Sequence, residues 1–138
     1  MADPFFDSVV LLALNDNAAS GSTTFVDQSA SAKALTPVGT MAYSDTSAPT
    51  GMTTSGFTAA AADRISTPNS ADFKFGTGDF TVEAMVNTTA NASFSVIVQC
   101  AATSSWATGW TMYLNGASPN VKAAFYVNGS NVITGTDS

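Results

Sequence analysis

Histidine is missing from all 138 residues, and this absence excludes more chemistry than any other feature of the chain. Ser-His and Cys-His nucleophile systems need an imidazole base, and the commonest protein metal ligand is lost with it. Cations are nearly as scarce: Lys33, Arg64, Lys74 and Lys122 are the full set, scattered along a chain of net charge −6. Phosphate binding takes clustered Lys and Arg, so neither nucleic acid nor an anionic membrane surface is expected as a partner. Cys100 is the single cysteine, which rules out an intrachain disulfide. Within the strand-like run from Ser95 to Ala101 it reads as a buried, inert thiol, the alternative being a cross-chain disulfide or a reactive group. No apolar run approaches the length of a membrane span. The opening MADPFFDSVV has no basic segment leading into an apolar one, so no secretory signal is read there and synthesis in a cytoplasm is expected.

Glutamate is almost absent as well. Glu83 is the only one, and glycoside hydrolysis needs two carboxylates at a fixed separation across the scissile bond. Its same-face neighbours Thr81 and Met85 are not acidic, and Asp79 is placed to cap a turn. A glucanase-like hydrolase is therefore the weakest of three functional readings, and no catalytic residue is assigned. Calcium would need convergent carboxylate and carbonyl oxygens. Asp16, Asn17 and Asp27 are too loosely spaced for a known loop pattern and read as turn formers, like Asp72 and Asp79, so no metal or other cofactor is assigned.

What the chain has instead is hydroxyls and short alternations. Charged residues make up only 10%, against roughly a quarter in typical soluble domains. Serine and threonine, 17 and 19 residues, supply the polar surface. Chain length fits one domain spanning 1–138. No segment sustains a 3.6-residue apolar period, so the chain is read as nearly all β. Phe5 to Leu14 is expected as a strand buried on both faces, and Ser22 to Asp27 as a short strand. Lys33 to Met41, with Pro37 inside, is at most an edge strand. Tyr43 to Thr58 reads as a long loop, and Ala59 to Ala62 as part of a strand leading to Ile65. Asn87 to Ser93 is a polar turn before the Val96-Ile97-Val98 strand. In the next strand Trp110, Met112 and Leu114 are expected to face inward, with Thr111 and Tyr113 outward. Ala123, Phe125 and Val127 share a strand face, and Asn128-Gly129 between alternating runs predicts a hairpin.

The most regular stretch is Ser66 to Val86. Phe73 and Phe75, then Phe80, Val82, Ala84 and Val86 after the Gly76-Thr77-Gly78-Asp79 turn, alternate with polar residues as a half-buried strand pair would. The wording SADFKFGTGDFTVEAMV resembles a motif of laminin-G-like, concanavalin-A-like jelly-roll domains, of the type found in bacteriophage structural proteins. Asp3 to Leu12, Gly109 to Gly116 and Ala124 to Gly129 resemble further strands of the same domain. The chain departs from the family at Met85, where Trp is usual, and at Phe57 to Ile65, which lacks an Asp-Gly pair. It also stops at Ser138, several strands earlier than such domains, so either a fragment or a sandwich completed by a partner is expected.

The resemblance implies an antiparallel jelly-roll sandwich and a virion structural protein on the particle exterior, such as a capsid decoration protein or a head or tail fibre part. Its expected partners are other virion proteins and further copies of itself. The alternative is a carbohydrate-binding adhesion module contacting a host-surface glycan. Trp106, in a polar loop, and Tyr113 and Tyr126, outward by alternation, are its candidate stacking platforms. The competing reading is that these rings cover a strand edge or a subunit interface.

Overall fold

The computed structural model describes residues 6–13, 18–46, 48, 55–58, 62–86, 95–101, 108–116 and 122–135. The described residues are strands, turns and irregular chain, with two short 3-10 turns at Phe6–Ser8 and Ala71–Phe73 and no α-helix among them. The protein is all-β, as the missing helical period requires. The chain divides into two compact units, Met1–Asp72 and Phe73–Ser138.

The first unit holds two antiparallel strand pairs. Strand β1 (Thr36–Val38) pairs with β4 (Arg64–Ser66), and β2 (Ala42–Ser44) with β3 (Ser55–Thr58). Pro37 sits opposite Ile65 in a two-stranded ladder, an edge position where its missing N–H does no harm. The core is small: Phe25, Met41 and Tyr43 are buried, with Ala18, Leu35 and Ile65 packed against them. The Phe25 and Tyr43 rings lie 4.7 Å apart, centre to centre. The backbone of Tyr43 donates to Ser22 and accepts from Gly21, which lays that loop along β2.

Several expectations for this unit are corrected. The apolar run after Phe5 is not a strand: Phe6–Ser8 is a 3-10 turn, and Val9 to Leu12 are half-buried irregular chain. The run is tied to the 27–28 segment at Leu12, whose carbonyl accepts from Gln28 N–H and whose N–H donates to the Asp27 carboxylate. Asp27 accepts hydrogen bonds from the backbone N–H of Leu12 and Ser29 on Oδ1 and of Lys33 on Oδ2. Ser22 to Asp27 contributes only an isolated bridge between Val26 and Ala34. The expected long loop from Tyr43 contains β2 and β3, and Ala62, expected in a strand, is a turn residue at φ 102°. Residues 59–61 lie outside the described residues.

The second unit is one four-stranded antiparallel sheet in the order β5 (Ser95–Cys100), β6 (Trp110–Asn115), β7 (Lys122–Val127) and β8 (Ser130–Thr134). Asn128 and Gly129 join β7 to β8 with φ of 47° and 77°. This is the pair of left-handed residues that a two-residue hairpin matching strand twist demands. Both outer strands carry a register shift, at Val96/Val98 in β5 and opposite Phe125/Tyr126 in β8.

Candidate interaction surface

The sheet of the second unit has two faces, and antiparallel pairing fixes their membership, because directly opposed residues project to the same side. Trp110 opposes Val127 and Cys100, while Met112 opposes Phe125, which in turn opposes Ile133. On the other face Thr111 opposes Tyr126 and Tyr113 opposes Ala124.

The expected orientation of β6 is reversed. Thr111 and Tyr113 are buried, Tyr113 with 0% exposure, whereas Trp110, Met112 and Leu114 are half-buried. Alternation separates the two faces of a strand but does not label them, and both faces of β6 hold large side chains. The small Ala124 opposite Tyr113 leaves room for its ring, and Tyr126 meets it edge-on at 5.2 Å. Burial and the hydrogen bond with Tyr126 push the Tyr113 hydroxyl above its usual range. Tyr113 offers no accessible ring face as a stacking platform. Tyr126 is half-buried against it rather than outward, and Trp106 lies outside the described residues. The structure therefore brings Tyr113 and Tyr126 together as a packed pair.

On the Trp110 face the rings form a closed circuit. Phe75 stacks on Phe80 at 4.2 Å and on Trp110 at 5.0 Å, and Phe125 completes it at 5.7 Å from Phe80 and 5.8 Å from Trp110. Offset ring pairs of this kind add about 0.5–1.5 kcal/mol each beyond the area they bury. The indole N–H of Trp110 donates to the Phe73 carbonyl at 2.9 Å, which ties the segment before Phe75 to the sheet. The expected strand pair in this region is corrected. Ala71–Phe73 is a 3-10 turn, Gly78 N–H donates to the Phe75 carbonyl, and Lys74, Phe75 and residues 79–86 belong to no strand. The Gly-rich turn reverses the chain so that Phe75 and Phe80 stack on each other instead of entering a ladder. Of the residues expected to be buried beyond the turn, only Val82 is half-buried; Phe80, Ala84 and Val86 are exposed, and so is Met85 on the other side.

Next to the circuit runs an open apolar groove of about 390 Å³, lined by Phe80, Thr81, Val82, Met112, Phe125 and Ile133 among others. Phe80, Met85, Val86, Val96, Val132 and Ile133 are large apolar side chains left exposed in this unit. Single exposed apolar residues are ordinary; of these six, Phe80 and Ile133 are brought together along the groove, whereas Val96 opposes Tyr113 on the other face.

Among the described residues no three Cys, Asp or Glu side chains are placed to hold a metal ion. Asp27 is buried and its oxygens are occupied by backbone donors. Burial pushes its carboxyl up, but the N–H groups of Leu12, Ser29 and Lys33 outweigh this and hold it below the usual range. Asp72 is lowered by its hydrogen bonds from Lys33, at 2.6 Å, and Ser70. Asp16 and Asn17 lie outside the described residues. Burial raises the half-buried Cys100 thiol, with Lys74 pulling partly the other way, so the reactive thiolate is scarce at neutral pH. Comparison with protein-family models, with curated proteins and with solved structures gave no match.

Proposed function

We propose that the chain is a structural protein of a bacteriophage particle, an exterior component such as a capsid decoration protein or part of a fibre, which works through subunit contacts. The motif SADFKFGTGDFTVEAMV and its likeness to phage-type laminin-G-like domains supply the phage assignment and the finer fold, a jelly-roll sandwich. The observation that carries the assembly role is the exposed apolar set on the second unit, which includes Met85 at 77% and Ile133 at 63%. A partner subunit removes such surface from water, at roughly 25 cal/mol per Å². Hydroxyl-rich, charge-poor composition suits a protein held in an assembly by shape and apolar contact rather than by ion pairs.

The test is the native mass of the purified chain by light scattering, read beside its intact mass. An oligomer of the intact 14.0 kDa chain is the expected result. A monomer that stays monomeric at every concentration, with no binding to phage heads or tails, overturns the proposal.

A further inference from the structure

The sequence contains two Asn-Gly pairs, Asn115-Gly116 at the end of β6 and Asn128-Gly129 in the β7–β8 hairpin. This dipeptide is able to modify itself. The backbone nitrogen of the glycine, once it loses its proton, attacks the side-chain carbonyl carbon of the asparagine. A new nitrogen–carbon bond closes a five-membered succinimide. The side-chain carbon–nitrogen bond breaks, and the leaving nitrogen takes up a proton and departs as ammonia. Water then opens the ring at either carbonyl, which gives aspartate or its β-linked isomer, isoaspartate. Glycine in the second position speeds closure because it has no Cβ to hinder the backbone rotation.

Accessibility alone would choose Asn128, which is exposed, over Asn115, which is half-buried. Local geometry reverses the order. Asn128 holds φ 47°. In the left-handed conformation, with ψ of about +47°, the following nitrogen lies almost opposite Cβ about the Cα–C bond. Ring closure needs the two on the same side, so ψ must turn through nearly half a circle. Two hydrogen bonds resist that turn: Asn128 N–H donates to the Gly109 carbonyl at 2.8 Å, and Asn128 Oδ1 accepts from Gly109 N–H at 3.1 Å. The second also fixes the amide that would be attacked.

Asn115 is placed differently. It is the last residue of β6, and an extended backbone, with ψ of about +135°, leaves little more than a quarter turn to ring closure. Gly116 lies beyond the strand at φ 99°. Neither the Asn115 side chain nor the Gly116 N–H is hydrogen-bonded to a described residue.

We infer that Asn115 is the site at which the folded chain deamidates, and that Asn128 is held unreactive until its hairpin opens. The product fits where it forms. Asn115 opposes Lys122 across the β6–β7 ladder, so a carboxylate there shares a face with an opposite charge. The isoaspartate form adds one backbone carbon at the end of that ladder, where the fewest bonds depend on it. The inference goes beyond the assembly reading and does not depend on it.

The experiment holds the purified chain at mildly alkaline pH, which favours loss of the glycine N–H proton, once folded and once in urea. Acid digests taken over time are read by mass spectrometry, with electron-transfer fragmentation to separate aspartate from isoaspartate. In the folded chain the peptide carrying Asn115 is expected to convert at least tenfold faster than the one carrying Asn128. In urea, where only the neighbouring residues act, the two rates should come within a few-fold of each other. Asn128 reacting as fast as Asn115 in the folded chain overturns the inference. So does a folded chain in which neither converts while both do in urea, or the same preference persisting in urea.

Discussion

Replacing Asp27 should destabilise the first unit about as much as truncating a buried residue of its small core, Phe25 or Met41. The side chain is 5% exposed and accepts three backbone N–H bonds, at 2.9, 2.9 and 2.7 Å, from Leu12, Ser29 and Lys33. Those donors lie 15, 2 and 6 residues away in sequence, so one carboxylate closes two loops at once. A hydrogen bond to a charged group contributes about 1.5–3 kcal/mol, and each buried donor left unpaired costs about 1–3 kcal/mol. The three bonds share one acceptor group and do not add, so Asp27→Ala should cost about 3–5 kcal/mol, less than the sum of three such terms. Asp27→Asn retains one acceptor oxygen for two of the donors but aims an amide N–H at the third, and should cost about 2–4 kcal/mol. A unit of this size has only about 4–10 kcal/mol in total, so either change is large.

The assay is urea unfolding followed by far-ultraviolet circular dichroism and by exchange of the Leu12, Ser29 and Lys33 amides, since both tryptophans belong to the second unit. Acid gives an independent check with a definite sign. A carboxyl whose folded pKa is depressed stabilises fully above its unfolded value, near 4, and the contribution is lost as pH falls through the lower folded value. The parent should therefore lose stability relative to Asp27→Asn as pH drops below about 4, and the gap between them should be constant above about 5. A variant within about 0.5 kcal/mol of the parent, or a gap that does not narrow in acid, would refute the assignment of Asp27 as the organising group.

Three backbone positions give further expectations, each checked by thermal or urea unfolding. Gly109 has φ 83°, and a Cβ there would collide with the Cys100 carbonyl, so Gly109→Ala should cost about 2 kcal/mol or more from combined strain and overlap. Asn128 holds φ 47°, and its Oδ1 accepts from Gly109 N–H at 3.1 Å while its own N–H donates to the Gly109 carbonyl. Asn128→Ala should cost about 1–2 kcal/mol, and Asn128→Gly less, since glycine keeps the turn and loses only the side-chain bond. Ala62 is exposed at φ 102°; Ala62→Gly should leave stability unchanged or raise it by up to about 1 kcal/mol, and a loss would show that its conformation is not strained.

The sheet of the second unit was legible because its signals are local. Asn128-Gly129 determines a turn through two left-handed residues between two apolar runs. Pro37 at an edge was legible for the same reason. Which face of β6 is buried was not, because that depends on what lies over Thr111 and Tyr113, and no period along β6 contains that information. Asp27 illustrates a different gap. Its composition-level reading as a turn former is compatible with its place before the Ser29–Ala32 turn, yet its bond to Leu12 crosses 15 residues and leaves no trace in spacing. The apolar run at Val9 to Leu12 was misread accordingly: four adjacent apolar residues suit a buried strand, but this run is held at Leu12 by the Asp27 carboxylate and the Gln28 N–H and forms no ladder.

Phe73 to Val86 poses the sharper question, since there the strongest strand pattern in the chain coincides with the absence of a strand. Two forces compete over Phe75 and Phe80. A ladder would project them from separate strands, whereas the Gly76–Gly78 turn lets them stack at 4.2 Å and join Trp110 and Phe125. With ring contacts at about 0.5–1.5 kcal/mol each and a lone two-stranded ribbon only marginally stable in water, the circuit of rings wins within one chain.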